Sequence, residues 1–439
     1  MSKIQNIEKI LDNFTVKGTN FEDFKNESQA MADITKDVVI KGGDIIFLSL
    51  CDIKERQIPG KAMFYVLSEE YISDFLLQGK PLRIGTIPVE NIGEELLEEI
   101  RNTTGLIAVI NNDKYIVSDI AIPTLSLRAS VSGNMSINRQ NLIRNLHFAD
   151  AIISKNENIH FVYREIEGVK ETGDKYIVRK IFAALGSQFC AVPQTIITDA
   201  ANIVADEGVL GTVNTREWLI DHEFTDLYLE FPDVAEELCT SYKLPDEVTP
   251  GVFMCTSDVG SSSIIARGVF RKGRSYVITD EVMIKHVGNI VPEDVVKRIN
   301  DEIFPNIRKL PETLALLIGE EIADYSKLDL TKEKDAGKNF NAVLNLLEKT
   351  SKKVLKGVLP AKRQKALLEC MADEINSTIK YTLYDIAIDF ISVPDRVEGL
   401  DNVTLTELRK ACAKVPFVLA DNIHPSTVEK EEEIVLLPA

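Results

Sequence analysis

Apolar residues open the chain at helical spacing: Ile4, Ile7, Ile10 and Leu11 predict a helix within residues 3–35. From residue 38 to 128 the period shortens toward two. Val38-Val39-Ile40 and Ile45-Ile46-Phe47-Leu48 flank Gly42-Gly43-Asp44, a pattern that predicts a hairpin. Met63 to Leu67 is a further β-rich run, and Leu106–Ile110 with Tyr115–Val117 predicts a second hairpin across Asn111-Asn112-Asp113. A short acidic amphipathic helix, Ile92 to Ile100, lies between them.

Ser136 opens a second unit. Ile137, Leu142, Ile143, Leu146, Ala149, Ile152 and Ile153 form the apolar stripe of a helix. Ile159–Ile166 and Tyr176–Phe182 predict a third hairpin around Gly173, and Pro193 to Val204 a helix. Farther on, the apolar run from Pro250 meets Ser257-Asp258-Val259-Gly260, a turn signature. Ser262–Phe270, Arg271-Lys272-Gly273-Arg274 and Ser275–Thr279 then read as strand, basic turn and strand.

From Pro292 the pattern is helical. Val296, Ile299 and Ile303 share a face, Pro311–Asp324 and Asn341–Leu355 are apolar helices, and Ala361–Tyr384 reads as one long helix. The last residues, from Glu429 to Ala439, form an acidic run with an apolar tip, suited to filling a partner's groove or to fraying as a terminus. The fold class is therefore α+β, with antiparallel β-meanders followed by a helical C-terminal third. Four regions are expected: an N-terminal helix plus β-rich region (1–128), a central α+β region carrying the basic hairpin (129–291), a helical region (292–427) and the tail (428–439).

Charge changes this picture. The net charge is −18, so the surface as a whole repels phosphate, and any contact with nucleic acid must use a local patch. The plainer reading of such acidity is solubility. Six cysteines, at 51, 190, 239, 255, 370 and 412, have no CxxC pair and fit isolated core thiols in a reducing compartment. Met1 to Asn6 carries no signal-peptide core, and no apolar run approaches the roughly 18 residues that cross a bilayer. A soluble protein with no membrane partner is expected.

Candidate chemistry is sparse. His222 lies between Asp221 and Glu223, which favours a raised pKa or a metal, with a solvated loop histidine as the plainer reading. His286 and the run Ser261-Ser262-Ser263 offer groups to an anion, against a strand-end hydrogen bond and an ordinary turn. No phosphate loop, dinucleotide fingerprint or nucleophile elbow occurs. The acidic pairs Glu69-Glu70, Glu94-Glu95, Glu98-Glu99, Glu236-Glu237 and Glu320-Glu321 fall mostly on helix faces, where solvated surface is the simple account; a metal-dependent nuclease would need them convergent. No cofactor, metal or catalytic residue is assigned.

Two basic clusters oppose the acidic background. One is Arg267, Arg271, Lys272 and Arg274. The other is Lys349, Lys352, Lys353, Lys356, Lys362, Arg363 and Lys365, with no acid between Lys349 and Lys365. Both suit a phosphate-tracking surface. Equally, they suit exposed faces that meet an acidic neighbouring subunit. Aromatic residues, which stacking on single strands requires, are few: Phe270 and Tyr276 near the first cluster, none in the second.

The Pro250-Gly251 … Ser257-Asp258-x-Gly260 stretch, the basic strand after it and Lys285-His286-Val287-Gly288-Asn289 together resemble a phage- and plasmid-encoded protein family of unsettled role. Ala184 to Asn202 and Thr378 to Asp385 resemble its strand–helix step and its C-terminal helix, so the likeness spans about residues 125–410. The chain departs from the family's Cys-x-Asn-Gly step, having Phe270-Arg271-Lys272-Gly273 there, and residues 1–124 have no counterpart. The resemblance implies a mobile-element origin. By analogy with phage single-strand annealing proteins, it suggests β-meanders, a basic groove and oligomers.

The expected function is thus a non-enzymatic phage-type protein that forms homo-oligomers in the host cytoplasm. It would contact single- or double-stranded DNA through the eleven basic residues above, in an annealing or DNA-accessory role. The alternative is a virion structural or shell-forming protein whose basic patches meet acidic faces of neighbouring subunits.

Overall fold

Alternating apolar and polar positions build two sheets, and the N-terminal segment is woven into both. A computed structural model describes residues 3–4, 6–51, 58–131, 142–170, 172–207, 210–286, 288–320, 333–376 and 382–423. The tail 428–439, His424, Ser136, Ile137, Val287, Glu321 and residues 377–381 lie outside these.

The chain opens with β1 (Lys3–Ile4), a 3-10 turn at Ile7–Ile10, β2 (Thr15–Gly18) and α1 (Phe21–Ile34). The predicted helix over 3–35 thus holds only from Phe21. Asn20, whose side chain accepts from the Asp23 amide, caps its start. The residues before it are drawn into sheet edges instead: β1 pairs with Val169 and Gly168, while Thr15–Gly18 pair with Asp221–Trp218.

The first sheet continues with β3 (Thr35–Lys41), β4 (Ile46–Leu50), β5 (Lys61–Leu67), α2 (Glu69–Gln78), β6 (Ile84–Pro88), α3 (Glu94–Asn102), β7 (Leu106–Ile110), β8 (Asp113–Val117) and α4 (Ile122–Ala129). α5 (Leu142–Lys155), β9 (Asn158–Val169) and β10 (Lys175–Gly186) complete it. Its strand order is β1-β9-β10-β8-β7-β4-β5-β6, with β3 also on β9. β8 and β10 run parallel and the other pairs antiparallel. The hairpins at 106–117 and 159–182 form as predicted. The one expected at 38–48 does not: Gly42–Asp44 is a 3-10 turn that separates β3, on β9, from β4, which lies between β5 and β7. A Cβ on Gly42 would lie 2.2 Å from the Ile152 carbonyl, so only glycine lets this turn sit on α5. Strand pairing also crosses residue 128, since β8 pairs with β10 and β1 and β3 pair with β9.

The second sheet is antiparallel. After α6 (Thr195–Glu207) come β11 (Asn214–Asp221), β12 (Thr225–Glu230), α7 (Pro232–Tyr242), β13 (Thr249–Thr256), β14 (Ile264–Lys272) and β15 (Ser275–Ile284), in the order β15-β14-β13-β12-β11-β2. Its core joins Trp218, Leu227, Met254 and Ile264 to Phe24 of α1, Ile197 of α6 and Val296.

The C-terminal third is helical: α8 (Pro292–Arg298), a π-helical turn Ile299–Ile303, α9 (Lys309–Leu317), α10 (Glu333–Val354), α11 (Ala361–Asn376), α12 (Leu383–Arg396), α13 (Asn402–Ala413) and α14 (Val415–Ile423). The single helix read over 361–384 is two. Thr382 and Asp385 form a reciprocal capping box that starts α12 afresh. These helices pack Leu347, Leu368, Ile386 and Phe390 around Phe270 and Val277 of the second sheet. The α+β class, with sheets first and helices last, is what the structure shows. Among the described residues no helix is long and apolar enough to cross a membrane.

Candidate polyanion-binding surface

The Ser-Asp-x-Gly turn between β13 and β14 points inward. Asp258 is buried and accepts two bonds from Arg164 Nη2, at 3.3 and 3.2 Å, and one from Gln194 at 3.3 Å. Arg164, on β9, is wholly buried, and its guanidinium lies 4.5 Å over the Phe182 ring. Phe182 is the extra residue of a bulge in β10, since Ile181 pairs with Tyr163 and Ala183 with Val162. The bulge re-aims this ring into the space between the sheets. There His222 stacks on it at 4.0 Å and its Nε2 donates a 2.6 Å bond to the Leu11 carbonyl oxygen. Lys180 pairs with Asp12 at 2.8 Å and with Glu99, fastening the N-terminal segment to the first sheet.

His222 is therefore not a solvated loop residue. Burial, and then the Arg164 charge, push its pKa down to about 2, so the expectation of a raised pKa does not hold and the ring packs as a neutral group. His286 is also buried, tilted over Phe189 at 5.4 Å, and burial lowers its pKa too. It borders a shallow concavity with Ser261, Ser262, Ser263 and Gln188. No group of three or more metal-ligating side chains occurs among the described residues. All six cysteines are free; Cys51, Cys255 and Cys412 are buried and Cys370 is exposed.

The first basic cluster sits on β14 and the β14–β15 turn, and carboxylates of the same chain meet most of it. Arg267 Nε donates to Glu281 at 2.7 Å. Arg271 grips both oxygens of Glu230, Nη2 donating at 3.2 Å, and its Nη1 donates to the Gly273 carbonyl at 2.6 Å. Lys272 pairs with Asp246 at 3.2 Å. Arg274 is exposed beside the Gly273 turn and makes no ion pair among the described residues. Sequence reading missed these partners because they come from β12, the α7–β13 connection and β15.

The second cluster differs. Lys349, Lys352 and Lys353 occupy the end of α10, Lys356 the connection, and Lys362, Arg363 and Lys365 the start of α11. All seven are exposed. Buried Leu355 and Leu359 hold the connection to the helical core, and Gly357, at φ +84°, makes its turn. Among the described residues only Lys352 and Lys365 have carboxylate partners, Glu348 and Glu369, at 3.6 and 3.7 Å. Lys352 and Lys353 suit the negative end of α10. At the start of α11 the logic reverses. Its first turn holds Lys362 and Arg363 and no acid, so side-chain charge adds to the positive end of the helix dipole, against about 0.3–1 kcal/mol per charge. The tip thus concentrates cations and a helix N-terminus where stability alone favours acids.

The structure brings the two clusters to different elements, β14–β15 and α10–α11, and no ion pair or hydrogen bond joins them among the described residues. No family model, curated protein or solved structure matches the chain.

Proposed function

We propose that this protein is a non-catalytic binder of nucleic acid that holds phosphate on the α10–α11 tip. What supports the reading most is the uncompensated charge there: seven exposed cations from Lys349 to Lys365, with no acid among them and, among the described residues, only two ion pairs, both i,i+4 and no shorter than 3.6 Å. Phosphates along a strand would neutralise them and release condensed counterions, so affinity should be high at low salt and fall steeply as salt rises. Arg267, Arg271 and Lys272 contribute to the fold and add little to the contact. The resemblance over residues 125–410 suggests a phage-type origin, and with it a host cytoplasmic or virion location.

Fluorescence anisotropy with labelled single- and double-stranded oligonucleotides tests this. If about four phosphates are contacted, log K against log salt has a slope of about −3 to −4. Lys349→Glu, Lys353→Glu, Lys356→Glu and Arg363→Glu together should abolish binding at salt where the wild type binds. Wild-type protein that fails to bind either oligonucleotide at low salt, or a variant that binds equally well, sinks the proposal.

A second reading, assembly into a structural shell, is favoured by α2, which exposes Phe75, Leu76 and Leu77, the last at 83%. Light scattering coupled to size exclusion separates the two: a large particle without DNA that persists in Leu76→Ser/Leu77→Ser protein removes the support α2 gives.

A further inference from the structure

A cleft of about 360 Å³ lies between β15, the segment after the π-helical turn, α9 and the α13–α14 corner. Its size suits a small organic molecule. Two irregularities of the backbone shape it. Gly268 pairs with Asp280 but Val269 with Ile278, so Thr279 is a bulge residue on β15, and its hydroxyl donates to the Gly268 carbonyl at 3.2 Å. The π-helical turn Ile299–Ile303 packs on this bulge, and a Cβ on Gly268 would lie 2.9 Å from Ile303 Cγ2. The chain then delivers Asn306, whose amide donates to Asp280 Oδ1 at 2.8 Å and to the Glu302 carbonyl at 2.9 Å. Bulges and π-turns interrupt regular pairing and recur where side chains must be re-aimed toward a ligand.

The chemistry of the walls is asymmetric. Glu281 is held between Arg267 at 2.7 Å and Lys410 at 3.1 Å, and these two hydrogen bonds overcome burial to keep its pKa below the usual range. Asp280 is tied to the Asn306 amide. Lys309 and Lys414 are exposed on the other walls and make no ion pair among the described residues. Between them lie buried Leu310 and Ile278 and half-buried Phe417. Arg267 therefore acts inward here, removing Glu281 as a competitor for the lysines.

We propose that this cleft binds a small organic anion, its carboxylate or phosphate between Lys309 and Lys414 and its apolar body on Leu310 and Phe417. The inference is independent of the nucleic-acid reading, which uses other residues.

Isothermal titration of the full chain with 1-naphthoate and 1-naphthyl phosphate tests it, with neutral 1-naphthol as the control. Both lysines are exposed, so Lys309→Gln and Lys414→Gln leave the fold intact, as an unchanged melting temperature would verify. The expected result is that at least one anion binds, that naphthol binds at least about tenfold more weakly, and that the double variant loses at least about tenfold in affinity. Which anion binds more tightly assigns the head group. No binding of either anion at about 1 mM, naphthol binding as tightly as the anions, or unchanged affinity in the double variant overturns the proposal.

Discussion

Two groups of cations stand against the same −18 background, and the fold treats them oppositely. Around the β13–β15 meander, most cations, Arg274 aside, are matched by carboxylates of the same chain: Arg164 with Asp258, Arg267 with Glu281, Arg271 with Glu230, Lys272 with Asp246. At the α10–α11 tip all seven are exposed, and among the described residues only Lys352 and Lys365 have partners, in i,i+4 pairs no shorter than 3.6 Å. A matched cation is part of the packing, and removing its partner strands a charge. An unmatched cation contributes little to folding and keeps its field for something outside. Cation density along a sequence therefore says little until each partner is known.

The sharpest way to break this comparison is to remove Asp258. Arg164 is wholly buried, and Asp258 is its only ion-pair partner among the described residues. Asp258→Ala should cost about 3–5 kcal/mol in urea unfolding, because the guanidinium stays buried without a counter-charge. Asp258→Asn keeps the shape and the Gln194 contact, and should lose less. If Asp258→Ala loses under about 1 kcal/mol, the interior pair is not what joins the turn to β9, and the matched class loses its clearest member.

Arg271 comes next. Its bidentate grip on Glu230 is mostly shielded, and it also bonds the Gly273 carbonyl, so Arg271→Ala should cost about 2 kcal/mol while nucleic-acid affinity changes by less than about twofold. The reverse result, unchanged stability with weakened binding, would move Arg271 into the unmatched group and restore the first cluster as a phosphate contact.

Much of the fold was legible because hairpins declare themselves locally. The 106–117, 159–182 and 250–279 regions each show β-rich runs broken by turn residues, and each forms, the last strand running on to Ile284. The N-terminal segment was not legible. Ile4, Ile7 and Ile10 mimic a helical stripe, yet Lys3–Ile4 and Thr15–Gly18 satisfy their backbones on strands more than 160 residues and about 200 residues away in sequence. The site was legible as charge and illegible as pairing. Glu230 and Asp246 reach the first cluster only through the β12–β13 meander and the α7–β13 connection. One partner did leave a signal: folding β14 onto β15 about the Gly273 turn brings Asp280 or Glu281 opposite Arg267, and the bulge at Thr279 selects Glu281.

The smallest effect sharpens the comparison from the other side. Among the described residues, Lys352 and Lys365 are the only tip cations with a carboxylate partner, at 3.6 and 3.7 Å across one helical turn. Exposed pairs of this kind contribute about 0.3–0.5 kcal/mol, and Lys352 is also repelled by Lys349 and Lys353, so the two terms nearly cancel. Lys352→Gln and Lys365→Gln should therefore each shift unfolding by less than about 0.5 kcal/mol. Lys365→Gln should be neutral or slightly stabilising, because it removes a cation near the positive end of α11. Each should still weaken oligonucleotide binding by a few-fold and lower the salt slope by about 0.9 if that lysine contacts one phosphate. A variant that loses stability comparable to Arg271→Ala would show that the tip is held together by its charges, and the division into matched and unmatched cations would fail there.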